Sequence, residues 1–275
     1  MRRIEELFRP RPEDSRKGDF GKIAFVGGSY KFPNTPAIAA LASARTGSDL
    51  EIILAPERSA DLSASFAPDM ISRRLEGKFL GPENVDEVID TVESCDCLVI
   101  GNGLGDSKET LEAVEQIIEG TQAPAVLDAD ALKADIRSMD LEGRKSVLTP
   151  HRKEFERLYG EEPAEKLGAV KEQVKKASRV FNSTIVLKSP VDVVSDGSTT
   201  LTNDSGNPYM TRGGTGDILA GVCGAIFSRA SALDAGIASA RITGNSGDIA
   251  AEELSQSLTV EDVIGAIPEA IENLS

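Results

Sequence analysis

Histidine occurs once in this chain, tryptophan not at all, and cysteine three times. A lone histidine rules out a His-rich metal site. Cys95 and Cys97 are spaced C-x-C, which is not a zinc spacing, and Cys223 stands far from both. Three thiols make no disulfide framework; they read as small buried residues in reducing surroundings, and a cytoplasmic location is expected. Long hydrophobic runs are missing as well. The longest, residues 218–227, is broken by two glycines and is too short to span a bilayer. The opening MRRIEE has no apolar core, so no secretory signal is expected. Basic charge is scarce: 30 Lys+Arg against 45 Asp+Glu leave a net charge of −15. That balance repels phosphate backbones and anionic lipid, so neither nucleic acid nor membrane is expected as a partner.

What is present is globular. Of 275 residues, 40% are apolar and 27% charged, enough for one large domain with a sizeable core. Short apolar runs alternate with helical patterns. Strands are predicted at residues 22–27, 50–55, 98–100, 125–127, 147–148 and 184–188. Helices are predicted at 36–46, 108–119, 165–181, 216–229, 231–253 and 260–272. Residues 191–195 and 199–202 flank Asp196-Gly197, a hairpin signal. Strands alternating with helices predict an α/β fold, a central mostly parallel sheet with helices on both faces, as one domain over residues 1–275. In such folds ligands bind where strands end and loops begin.

The strongest local signal is Gly213-Gly214-Thr215-Gly216-Asp217 at the head of a long apolar helix. Backbone N–H groups without neighbouring Cβ atoms converge readily on an anion, and the helix dipole adds about half a positive charge. A phosphate-binding loop and a plain Gly-rich turn both remain open on residue types alone. As a helix-start carboxylate, Asp217 is expected to be a weakened base. It would still serve phosphoryl transfer, where positioning matters more than basicity. Neither GxxxxGK[ST] nor GxGxxG occurs, and Gly101–Gly105 matches neither. His151 follows an apolar strand with Glu154 one helical turn on, and a helix-start role is the plain reading. Lys188 ends a strand, where a cation can reach phosphate. Asp128 and Asp130 follow another strand and suit Mg²⁺, polar substrate groups or simply a turn.

The ordered set is more specific than its parts. Lys17-Gly18-Asp19-Phe20-Gly21, Gly27-Gly28-Ser29, Arg45-Thr46-Gly47, Gly101-Asn102-Gly103-Leu104-Gly105, Leu127-Asp128-Ala129-Asp130-Ala131-Leu132, Thr149-Pro150-His151-Arg152-Lys153-Glu154-Phe155 and Gly213-Gly214-Thr215-Gly216-Asp217 occur in this order. Together they resemble the ADP/ATP-dependent NAD(P)H-hydrate dehydratase family, a branch of the ribokinase-like fold. The resemblance spans roughly residues 17–250, and the epimerase domain fused to some members is not expected within these 275 residues.

It implies that ADP or ATP phosphorylates the ring hydroxyl of hydrated NADH or NADPH (NADHX, NADPHX), after which phosphate leaves. It implies Asp217 as the base and as a substrate contact. Lys188, Ser189, Pro190, Val191, Asp192, Asn207, Gly213, Gly214, Thr215 and Gly216 would hold the nucleotide. Thr35, Gly103, Gly105, Asp128 and His151 would contact the hydrated dinucleotide. Mg²⁺ is expected to bridge phosphates, with no protein ligand assigned, and a homo-oligomer is expected. The chain departs from the family at Asn34, Thr35, Ser189-Pro190, Tyr209, Arg212 and Thr243. Pro190 removes an N–H that phosphate might have met. The alternative is a ribokinase-like kinase acting on a vitamin precursor or sugar alcohol.

Overall fold

A computed structural model describes residues 4–139 and 145–274. Strands β1 (Lys22–Val26), β2 (Leu50–Pro56), β3 (Ile71–Leu75), β4 (Cys97–Ile100), β5 (Ala125–Leu127), β6 (Ser146–Leu148) and β7 (Thr184–Leu187) run parallel. The antiparallel strands β8 (Asp192–Ser195) and β9 (Thr200–Asn203) complete a nine-stranded sheet, ordered β3-β2-β1-β4-β5-β6-β7-β8-β9. Gly197, at φ +85°, makes the predicted turn between the last two.

The helices are α1 (Ile4–Leu7), α2 (Thr35–Arg45), α3 (Glu57–Ser63), α4 (Val85–Val92), α5 (Lys108–Gly120), α6 (Arg152–Tyr159), α7 (Leu167–Val180), α8 (Thr215–Phe227), α9 (Ala232–Leu254) and α10 (Val260–Leu274). Side chains of β1 alternate between faces, and both faces are covered. Ala24 and Val26 join one core with residues of α4, α5, α6 and α7, whereas Ile23 and Phe25 join the other with residues of α2, α8, α9 and α10. Double-sided burial explains why the central strands read as unbroken apolar runs. The predicted class, a mostly parallel sheet flanked by helices, is the one observed.

Five elements lie outside the strands and helices that the sequence pattern predicts: the short helices α1, α3 and α6, strand β3 and helix α4. Strand β3 is an edge strand reading ISRRL, with mostly exposed side chains, so its polar residues concealed it. Helix α4 buries Val85, Val88 and Val92 at helical spacing, but it is only eight residues long. No helix among the described residues is long and apolar enough to cross a membrane.

Helix α8 positions the site. Every residue from Asp217 to Phe227 is buried, so both sides of the helix pack against protein. Gly221 makes that possible, because a Cβ there would run into the backbone of Ala39 in α2. Its N-terminus thereby lies beside the residues that follow β4, β5 and β7. Cys97 and Cys223 are buried, and burial pushes both thiols up, Cys223 to about 12, so they pack as inert thiols.

Candidate active site

Asp128, directly after β5, is the hub. Its Oδ1 accepts from Lys188 Nζ at 2.7 Å and from Thr149 Oγ1 at 2.7 Å. Its Oδ2 accepts from Asn102 Nδ2 at 3.0 Å, and the same amide donates to Asp217 Oδ1 at 2.5 Å. Residues following β4, β5, β6 and β7 are thus joined to the head of α8. Gly101, at φ +128°, makes room, since a Cβ would enter the Asp128 carbonyl. Ala129 sits in the left-handed region at φ +49°, strain that marks the turn behind Asp128.

Electrostatics reverse one expectation. The helix start was expected to stabilise the Asp217 carboxylate, yet its pKa rises from 3.8 to about 7. Burial is the main cause and the neighbouring Asp128 carboxylate the second; Asn102 and Lys188 hold it down only in part. Asp217 is therefore a stronger base than its place on the helix suggested. Burial works against the Lys188 charge, but Asp128, Glu154 and Asp217 together raise its pKa above the ordinary value, so it remains a cation at neutral pH. Burial also raises Glu154, against the pull of Lys188.

Two cavities flank this cluster. One, of about 690 Å³, is bordered by His151, Lys188, Ser189, Pro190, Asp192, Asn207, Thr215 and Gly216. The other, of about 630 Å³, is bordered by Thr35, Gly103, Gly105 and Asp217, together with Phe32, Phe79 and Lys133. The consecutive residues Gly216 and Asp217 thus face different cavities.

Most of the residues singled out in the sequence converge, and four stand back from the cavity walls. Val191 uses its carbonyl to accept from Ser189 Oγ at 2.5 Å and is not on either wall. Gly214 caps α8 at φ +101°, packed against Val260, and Gly213 precedes it; neither borders a cavity. Asp128 borders neither cavity and touches ligand space only through its partners. Asn207 is held by Gly247 O and Asp248 Oδ1, both at 2.9 Å. The Ser189-Pro190 turn is closed by Ser189 N donating to Asp192 Oδ1 at 3.0 Å.

His151 caps α6: its Nδ1 accepts from Lys153 N at 3.1 Å and Glu154 N at 3.2 Å, and His151 N donates to Glu154 Oε2 at 2.8 Å. The helix-start reading therefore holds, and its half-exposed ring also borders the cavity of Lys188. Asn102, Thr149 and Glu154 joined the site without having been singled out. Asn102 had stood only as the spacer of a Gly-x-Gly turn. No group of three metal-ligating side chains occurs among the described residues.

A mostly parallel sheet, a glycine-opened helix head beside a half-buried lysine, and two clefts bordered by consecutive residues make an α/β protein of ribokinase-like fold. The chain belongs to the NAD(P)H-hydrate dehydratase family, whose model matches residues 23–269. It is 38% identical over 265 residues to the bifunctional NAD(P)H-hydrate repair enzyme of Pyrobaculum aerophilum, covering 95% of this chain and 52% of that protein. The chain therefore spans about half the length of such bifunctional relatives. It is 34% identical over 268 residues to the ADP-dependent (S)-NAD(P)H-hydrate dehydratase of Cenarchaeum symbiosum, covering 96% of this chain and 93% of that one. In fold it is similar to the Bacillus subtilis ADP/ATP-dependent NAD(P)H-hydrate dehydratase co-crystallised with ATP/Mg²⁺, with a TM-score of 0.85, 23% identity, and 99% and 96% of the two chains covered.

Proposed function

We propose that this chain dehydrates hydrated NADH and NADPH at the expense of ADP or ATP. One observation carries the reading: Gly216 and Asp217, adjacent in sequence, open onto two separate cavities. The cavity of Lys188, Ser189, Pro190, Asp192, Asn207, Thr215 and Gly216 takes the nucleotide, with Val191, Gly213 and Gly214 shaping its backbone. Its phosphates meet Lys188 Nζ and the N–H groups at the head of α8. Thr35, Gly103 and Gly105 receive the hydrated dinucleotide. His151, whose ring borders the Lys188 cavity and not that of Thr35, is assigned to the hydrated dinucleotide on the family resemblance, and Asp128 holds Lys188 and Asn102 in place.

The ring hydroxyl attacks the terminal phosphorus while its proton passes to Asp217 Oδ2. The bond from phosphorus to the leaving diphosphate or monophosphate oxygen breaks. Phosphate then departs with the C–O electron pair, and the neighbouring carbon gives up a proton as the ring double bond returns. An Asp217 pKa of about 7 suits a group that must take up and release a proton at neutral pH.

Mg²⁺ fits this site as a companion of the nucleotide. Both Asp128 oxygens are already engaged, and no three-ligand cage exists among the described residues. Phosphate oxygens and water would supply most of its shell, and it would neutralise phosphate charge. A homo-oligomeric, cytoplasmic enzyme completes the proposal. The test is incubation with chemically hydrated NADH plus ADP or ATP. Return of near-ultraviolet absorbance with release of free phosphate supports the reading. A stable phosphorylated product would indicate a kinase instead.

A further inference from the structure

Asn102 is buried in the turn that follows β4. Its backbone is anchored independently of its side chain: the carbonyl accepts from Gly28 N at 2.6 Å and from Thr35 Oγ1 at 2.8 Å. The side chain spends both amide hydrogens on carboxylates, one on Asp217 Oδ1 and one on Asp128 Oδ2. These are two buried acids that repel each other, and the repulsion from Asp128 is one cause of the raised Asp217 pKa. Asp128 is balanced on its other oxygen by Lys188 and Thr149. Asp217 stands at the cavity wall with Oδ1 held from behind.

We propose that Asn102 is a positioning residue for phosphoryl transfer: its amide pins Asp217 Oδ1, turns Oδ2 toward the substrate hydroxyl, and ties the base to the Asp128–Lys188 pair on the nucleotide side. The inference rests on Asp217 being the base. A carboxylate gripped by one oxygen has lost its free rotation, so its other oxygen meets the hydroxyl along a fixed line. The grip is also selective for charge, because an amide N–H favours the ionised acid over the protonated one. The charged groups acting on Asp217 come from three elements: Asp128 after β5, Asp130 in the turn beyond it, and Lys188 after β7. Lys133 pairs with Asp130 at 2.8 Å and with Asp106 at 2.9 Å, and Asp106 and Lys31 border the same cavity as Asp217. Asn102 is the neutral member, so its removal changes Asp217 without adding or removing a charge.

The experiment compares wild type with Asn102→Leu, which removes both donors at similar volume, and Asn102→Asp, which replaces them with a third acid. Three quantities are read: the pH profile of kcat/KM with hydrated NADH and nucleotide, ADP affinity by calorimetry, and the Asp217 carboxyl titration by ¹³C NMR without substrate. For Asn102→Leu, kcat is expected to fall roughly 10²-fold, as misplacement of a reacting group does, with ADP affinity unchanged. The acid limb of the profile and the NMR midpoint should both move to higher pH, further still in Asn102→Asp. An unmoved midpoint and limb would overturn the proposal, even if kcat fell. If Asn102→Leu does not fold, Asn102→Ser, polar but too short to bridge the acids, takes its place in the same comparison. If wild type restores no absorbance from the hydrate, the assigned reaction fails. The NMR titration then still decides whether Asn102 governs Asp217.

Discussion

Asp217 meets two opposed demands. The proposed reaction needs it ionised in a dry site, and burial favours its protonated form there. Its pKa, raised from 3.8 to about 7, means that the folded chain keeps a proton which the unfolded chain releases across that interval. Stability therefore falls as pH rises through the window, because the native state binds more protons than the unfolded one. Asp217→Asn removes that penalty. It is expected to raise Tm at pH 8, by on the order of 2–4 kcal/mol of stability, while nearly abolishing turnover and sparing ADP affinity. Wild-type kcat in this variant would show that another group is the base. In wild type the acid limb of kcat/KM should fall near neutral pH, and a limb near pH 4 would contradict the burial argument. Lys188 poses the converse case. Asp128 is buried, so Lys188→Met leaves its charge without its main counterion, at a cost of about 3 kcal/mol. Denaturant unfolding should show that loss, and calorimetry should show weaker ADP binding. Unaltered ADP affinity would detach Lys188 from the phosphates.

At the level of elements, the proposal sets the nucleotide at the head of α8, and His151 is the cap of α6. A Cβ on Gly216 would come within 3.3 Å of Lys188 Nζ, the end of a long side chain that can give by a few tenths of an ångström and keep its Asp128 ion pair, so the fold tolerates a side chain there. The phosphates do not: Gly216→Val is expected to weaken ADP binding at least tenfold, about 1.4 kcal/mol, with little change in Tm. Unchanged affinity would place the phosphates elsewhere. His151→Asn keeps an acceptor at the α6 N-cap and so separates cap from ring. Its KM for hydrated cofactor should rise more than its KM for nucleotide, and equal rises would take the ring off the hydrate. These elements were legible to different depths. The central strands and α8 announced themselves through apolar continuity and clustered glycines. Edge strand β3 and helix α4 did not, being polar in one case and short in the other. The site was legible where motif and position coincide, as at Asp217, Lys188 and Gly216. Asn102 was not, because its role comes from a contact with Asp217 across 115 positions of sequence, which no local pattern encodes. The Asp217 pKa was misjudged for the same reason: the helix dipole is written locally, whereas burial and Asp128 arrive only with the fold.

Across the whole molecule, charge is arranged against the proposed ligands at long range and for them at short range. The net charge of −15 repels ADP, ATP and a hydrated dinucleotide alike before they dock. Inside the clefts the balance is local: the Lys188 cation and the head of α8 face one ligand, while Lys133 borders the cavity of the other. Salt separates the two ranges. Added ions screen charges farther apart than about 10 Å at 0.1 M, but weaken contacts in a buried site much less. Raising salt from low to moderate concentration should therefore speed nucleotide association, and kcat/KM at low substrate should rise with it, whereas kcat should stay level. Stopped-flow association rates for a fluorescent ADP across a sodium chloride series supply the measurement. Most enzymes that attract anionic substrates with surface charge show the opposite slope. A rate that falls with salt would mean that a local positive field outweighs the net charge, and that the cations at the cleft mouths, Lys31 and Lys133, steer ligands from a distance rather than only holding them once bound.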